Sequence, residues 1–242
     1  MKDEVKEDLM KTIGLIGGMT CESSAEYYRL INEFTRAKLG GIHSARSVMI
    51  SVDFAEIEEL METGKWDEIL AILIEAAQNV EKAGAHFLVL CTNTMHKLAD
   101  RIQKKIHIPI LNIIDAAAEQ IKTRKIHTVG LLGTRFTMQE DFYKDRLIQK
   151  HGLKVLIPSA KEIQTIHRII VDELSIGEIR ESSKKVYWQI IHGLVDQGAQ
   201  GVILGCTEIP LLVREQDEGG RIPLFDTTHI HAAAAVEYAN NR

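Results

Sequence analysis

Cysteine is scarce in this 242-residue chain, at three positions only, Cys21, Cys91 and Cys206. An odd and small number of thiols excludes a disulfide framework. Free thiols fit a reducing compartment. Aromatic residues make up 5%, too little for the stacking platforms that hold nucleic-acid bases. Basic charge is not in excess either. The 29 Lys and Arg stand against 34 Asp and Glu, for a net charge of −5, so no strong nucleic-acid field is expected. No apolar run reaches the ~18 residues of a membrane-spanning helix. The first ten residues, MKDEVKEDLM, scatter acids where an export signal carries an apolar segment. They read as a charged tail at positions 1–10. The expected location is the cytoplasm, with neither a nucleic acid nor a membrane as partner.

What is present is ordinary globular composition, 45% hydrophobic and 26% charged. Short apolar runs alternate with helical patterns. Ile13 to Gly18 reads as a buried strand opening into a glycine loop. Thr20 is placed to cap a helix with Tyr28, Ile31 and Phe34 on one face. Val48–Val52, Phe87–Leu90 and Ile108–Leu111 read as strands, and Trp66–Lys82 as an amphipathic helix that stops at Gly84. This alternation predicts an α/β fold with mainly parallel sheets.

The order then repeats. Thr128-Val129-Gly130-Leu131-Leu132-Gly133 resembles Thr12-Ile13-Gly14-Leu15-Ile16-Gly17. Gly84-Ala85 matches Gly198-Ala199, and Ile108-Pro109 matches Ile222-Pro223. A nearly constant offset at separate landmarks predicts a duplicated α/β unit. Ligands of parallel α/β sheets bind beyond the carboxyl ends of the strands. The candidates are therefore Gly18-Met19-Thr20, Thr92-Asn93-Thr94, Thr134 and Cys206-Thr207-Glu208. Small hydroxylic and amide groups at helix starts suit a carboxylate or a phosphate. They also cap helices, and one residue can do both.

These residues resemble the aspartate/glutamate racemase family, which works without pyridoxal phosphate. The resemblance runs from Lys11 over nearly the whole chain. It rests on Gly17-Gly18-Met19-Thr20, Cys91-Thr92-Asn93-Thr94-Met95-His96, Leu132-Gly133-Thr134, Gly205-Cys206-Thr207-Glu208 and Phe225-Asp226-Thr227-Thr228. It implies two pseudo-symmetric three-layer α/β domains with the active site in the interdomain cleft, a homodimer, a small amino-acid substrate and no cofactor. The expected domains are 11–107 with 220–242, and 108–219. Each half would bring one catalytic thiol. One thiolate removes the α-proton and the other thiol returns a proton to the opposite face. A thiolate suits this work because it is poorly hydrated and tunable by burial and nearby donors. With no cofactor as electron sink, the substrate's own α-carboxylate takes the charge. Asn93, Thr94, Thr134 and Thr207 are candidate donors to it.

One position departs from the family. Cysteine usually stands immediately before Asn-Thr, and here Thr92 does, with Cys91 one residue earlier. The internal repeat gives the same register, since Gly84-Ala85 laid on Gly198-Ala199 puts Thr92 opposite Cys206. Successive strand residues face opposite ways, so Cys91 is expected in the core as a small hydrophobe. Cys206 is then the main acid and base, with Thr92 as its catalytic partner position. A threonine hydroxyl is no base at neutral pH without activation, but it can hold a water. Glu208 either orients or deprotonates the thiol, or is only a first-turn acid. The alternatives left open are Cys91 swinging in as the second thiol at an irregular strand end, a single-cysteine decarboxylase or isomerase of a dicarboxylic acid, and a sensor that binds without turnover.

A second substrate carboxylate calls for a cation. Arg46 and Lys161 are the candidates by position, with Arg135 as a third. The expected substrate-binding set is thus Met19, Arg46, Asn93, Thr94, Thr134, Lys161, Thr207 and Glu208. His96 either tunes the site or bonds to the backbone at a helix start. His229-Ile230-His231 lacks metal-ligand spacing, so no metal is expected. A nucleotide-binding glycine motif and a Walker lysine are absent.

Overall fold

The apolar runs at Ile13–Gly17 (β1), Phe87–Leu90 (β3), Thr128–Gly133 (β5) and Val202–Gly205 (β7) all become central strands. A run with no polar alternation is buried only where both faces of a sheet are covered. The computed structural model describes residues 10–241. Two four-stranded parallel sheets result, in the orders β2-β1-β3-β4 and β6-β5-β7-β8. The remaining strands are Ser47–Ser51 (β2), Ile110–Leu111 (β4), Lys154–Leu156 (β6) and Leu224–Asp226 (β8). The repeat seen in the sequence is a repeat of pairing: Gly14 pairs with Leu88, and Gly130 with Val202.

In the first lobe the helices are Cys21–Leu39 (α1), Phe54–Glu62 (α2), Trp66–Lys82 (α3) and Ala99–Gln103 (α4). Ile113–Thr123 (α5) leads out of it. The second lobe adds Arg135–Gln139 (α6), Asp141–Asp145 (α7), Ala160–Asp172 (α8), Glu181–Asp196 (α9) and Ile209–Leu212 (α10), and Thr227–Asn240 (α11) closes the chain. Helices cover both faces of each sheet, so each lobe is three-layered. One face of the first sheet packs on α2 and α3 and the other on α1 and α11. One face of the second sheet packs on α8 and α9 and the other on α5 and α7.

Two expectations need correction. The domain boundaries at 107/108 and 219/220 fall too early, because β4 pairs with β3 in the first sheet and β8 with β7 in the second. The chain changes lobe between β4 and α5 and again between β8 and α11, so each lobe is covered by the helix that follows the other's last strand. On α1 the buried face is Tyr27, Leu30 and Ile31, and Tyr28 is 55% exposed. One residue is a 100° step around a helix, enough to carry Tyr28 off the core side. The expected tail at 1–10 lies outside the described residues except Met10, which packs against the α1–α11 core. Among the described residues no helix is long and apolar enough to cross a membrane.

Candidate active site

Both sheets aim the carboxyl ends of their central strands into the cleft between the lobes. The turn after β1 is fixed by Gly18, at φ +89°, where a Cβ would sit 2.1 Å from the Val52 carbonyl oxygen. Only glycine fits such a position. Thr20 then caps α1, accepting from the Ser23 N–H at 3.3 Å. Thr134 caps α6 in the same way after β5.

The cleft is a cavity of about 80 Å³ lined by Met19, Thr20, Thr92, Asn93, Thr94, Thr134, Cys206, Thr207 and Glu208, among others. Eight of the ten expected site residues are thus brought together. The other two are not. Arg46 precedes β2 and is exposed, and its carbonyl pairs with the Ile13 N–H at the start of β1. It lies a full strand length from the carboxyl ends that make the site. Lys161 is exposed in the first turn of α8 and does not line the cleft. Residues that sequence reasoning missed as cleft-lining are Glu58 and Glu62 on α2, Phe136 on α6, and His167 and Val171 on α8. Their four-residue spacings on α2 and α8 mark a shared helix face, but nothing in the sequence shows which face turns to the cleft.

The Cys206 thiol is 8% exposed and donates to Glu208 Oε2 at 2.9 Å. Glu208 also accepts from the Thr207 hydroxyl at 2.7 Å and, on Oε1, from the Thr20 hydroxyl at 3.1 Å. This buried carboxylate therefore joins both lobes. Burial pushes the Cys206 thiol well above its ordinary range, and the Glu208 charge pushes it further. The resting thiol is protonated at neutral pH.

Thr92 faces Cys206's side of the molecule from the first lobe, and no base hydrogen-bonds its hydroxyl among the described residues. Its carbonyl accepts from His96 Nδ1 at 2.8 Å, while His96 Nε2 accepts from the Ile113 N–H at 3.1 Å. These two bonds fix the neutral tautomer, and burial pulls the imidazole down to about 4. Of the two readings of His96, the structure shows the backbone partner. Cys91 is fully buried among Ile13, Leu15, Tyr27, Phe87 and Val89, on the side of β3 away from the cleft, as register required. Burial alone raises its thiol.

Two of the expected donors are already engaged. Asn93 donates to the Thr227 hydroxyl at 3.0 Å and accepts from the Tyr143 hydroxyl at 3.3 Å. It ties the lobes together. The Thr207 hydroxyl hydrogen goes to Glu208. The Thr94 and Thr134 hydroxyls meet across the cleft at 3.2 Å, and the Thr134 hydroxyl also lies 3.3 Å from that of Thr137; when Thr134 donates to Thr94, the Thr94 hydrogen is left for a ligand. No group of three or more His, Cys, Asp or Glu side chains among the described residues is arranged to hold a metal ion.

The Asp/Glu/Hydantoin racemase family model matches residues 16–235. A candidate Asp/Glu racemase from Yersinia pestis is 50% identical and superposes with a TM-score of 0.89, covering 96% of this chain and 100% of that one. An aspartate racemase homologue from Pyrococcus horikoshii OT3 is 36% identical, with a TM-score of 0.83 over 96% of this chain and 100% of that one. The broad specificity amino-acid racemase RacX of Bacillus subtilis (strain 168) is 26% identical over 171 residues, 70% of this chain and 72% of that protein.

Proposed function

The chain belongs to the Asp/Glu/hydantoin racemase family, and from that premise we propose that it racemises an acidic amino acid, aspartate or glutamate, without a cofactor. Cys206 is the acid and base on one face of the substrate, and Thr92 holds the other face. The observation that carries this reading is the buried thiol hydrogen-bonded to Glu208 at 2.9 Å on the wall of a cleft lined by Thr92.

The α-proton of an amino acid is a very weak acid, so the base has to be generated where it is used. Cys206 is protonated at rest. When substrate is bound, the S–H proton moves to Glu208 Oε2, and the thiolate takes the α-proton. The electron pair left on Cα passes into the α-carboxylate as an enediolate. The Thr94 and Thr134 hydroxyls on the cleft wall meet that charge. Return of a proton from Cys206 restores the starting enantiomer. Return from the opposite face inverts it. There Thr92 has no base of its own, so a water held by its hydroxyl gives Cα the proton, and the hydroxide left behind takes back the proton that Glu208 accepted. Proton transfer at that face is the slower of the two.

The test is deuterium incorporation at Cα of each enantiomer of aspartate and glutamate in heavy water, with no cofactor added. Exchange is expected with at least one enantiomer. Cys206→Ala should lower it by at least ~10²-fold, and Cys91→Ala should leave it nearly unchanged. Absence of exchange with every one of these substrates, at high enzyme concentration, would overturn the reading.

A further inference from the structure

An acidic amino acid carries a second carboxylate, and the catalytic end of the cleft offers it no cation. Its lining there is Met19, hydroxyls, an amide, a thiol and the buried Glu208. Arg46 and Lys161, expected to supply the charge, are both elsewhere. The cleft continues outward into an adjoining cavity that shares Glu58, Glu62, His167 and Val171 with it and adds Arg135 and Arg168.

Arg135 is the better placed of the two arginines. It follows the cap residue Thr134 at the carboxyl end of β5, so the same turn that sets Thr134 in the cleft sets Arg135 at its mouth. Its guanidinium lies 4.7 Å from the centroid of the Phe136 ring, which itself lines the cleft. From there it reaches across to the other lobe, where one nitrogen meets both carboxylate oxygens of Glu62 at 2.8 Å. Beside it, the buried His167 Nδ1 has no hydrogen-bond partner among the described residues. A buried imidazole nitrogen without a partner costs free energy, and the His167 ring lines both the cleft and the adjoining cavity.

We propose that Arg135 receives the distal carboxylate of the substrate, exchanging Glu62 for it, with His167 as the second contact. This inference rests on the acidic-amino-acid reading above and names the residues that select for it. The exchange keeps the guanidinium paired with a carboxylate and leaves the half-exposed Glu62 to water. It also couples binding to entry. The Arg135–Glu62 bridge crosses the cleft, so separating the lobes to admit substrate breaks it and frees the guanidinium. Glu62 thus competes with the substrate for one cation.

That competition gives opposite signs for two substitutions that break the same bridge. Steady-state exchange kinetics with aspartate and glutamate are compared for the wild type, Arg135→Leu, Arg135→Lys and Glu62→Gln. Arg135→Leu should raise KM by at least tenfold with a smaller change in kcat. Arg135→Lys should recover part of that loss, because it keeps the charge but not the fork. Glu62→Gln should lower KM. If Arg135→Leu and Glu62→Gln raise KM alike, the bridge is only structural and the proposal fails. An unchanged KM in Arg135→Leu defeats it as well. In both cases exchange by the wild type keeps the racemase reading intact, whereas a wild type that exchanges neither acid removes both.

Discussion

A thiol buried against a carboxylate is held protonated by the same neighbour that has to accept its proton. In the proposed reaction Cys206 and Glu208, 2.9 Å apart, stand in that relation. Glu208→Gln therefore separates two effects. The Cys206 thiol should become more acidic, because the Glu208 charge no longer opposes the thiolate, though burial still holds it up. Turnover should nonetheless fall by ~10²-fold, since the proton acceptor is gone. The pH dependence of alkylation at Cys206, followed by residue-resolved mass spectrometry, reads the first effect. The exchange rate reads the second. Faster turnover in this variant would show that Glu208 only hinders the thiol. At this scale the sequence was legible wherever strand register applied. Cys91 and Thr92 follow β3 directly, and alternation of faces carried past its end puts Cys91 in the core and Thr92 in the cleft. It was only partly legible for charge. Arg46 stands before Val48, at the amino end of a strand the sequence already showed, and that register argued against it; for Lys161 the sequence carries no sign of which side of a helix turn it occupies.

Elements deliver these residues through their ends, so the tightest geometric demand falls on the turns. Gly18 is the plainest case, with φ +89° and the Val52 carbonyl oxygen 2.1 Å from where a Cβ would be. Gly18→Ala should destabilise the fold by about 2 kcal/mol or more through strain and displacement of the β2 end. It should also lower exchange activity, because Met19 and Thr20 line the cleft immediately after it. Urea unfolding measures the first, and a variant as stable as wild type would contradict it. The apolar runs of β1, β3, β5 and β7 announced themselves because continuous hydrophobicity has one common solution in an α/β protein. The faces of α2 and α8 that meet the cleft did not. An acidic residue such as Glu58 or Glu62 on a helix reads as a solvated face until the opposite lobe is in place.

The whole molecule is two copies of one sheet, each covered by a helix that belongs in sequence to the other. The duplication was visible in the offsets between Gly84-Ala85 and Gly198-Ala199. The exact crossing points were not, because nothing in the sequence shows which of the two sheets the short strands β4 and β8 join. A buried histidine pair sits at this junction, with ring centroids 5.7 Å apart. His231 on α11 donates from Nε2 to the Leu111 carbonyl at 2.8 Å, and its Nδ1 accepts from the Tyr27 hydroxyl at 2.9 Å. Burial pulls His231 down to about 3 and His96 down to about 4. Both are neutral when folded, whereas in the unfolded chain both bind protons near the ordinary value of about 6.5. Their contribution to stability is therefore complete above about pH 6.5. It is lost as the pH falls from there toward the folded values, by up to about 1.4 kcal/mol per pH unit for each. A urea midpoint that stays flat as the pH falls from 7 toward 4 would contradict this. Between the lobes, the site itself has one thiol and one threonine where two thiols would make it symmetric. Racemisation has no net driving force, so the asymmetry cannot show as a preferred direction at equilibrium. It shows in the ratio of Cα exchange to inversion, measured separately from each pure enantiomer in heavy water. The enantiomer whose proton faces Cys206 should exchange faster than it inverts, and the other should invert nearly every time it exchanges. Equal ratios from the two enantiomers would mean two equivalent bases and would contradict the assignment of Cys206 and Thr92.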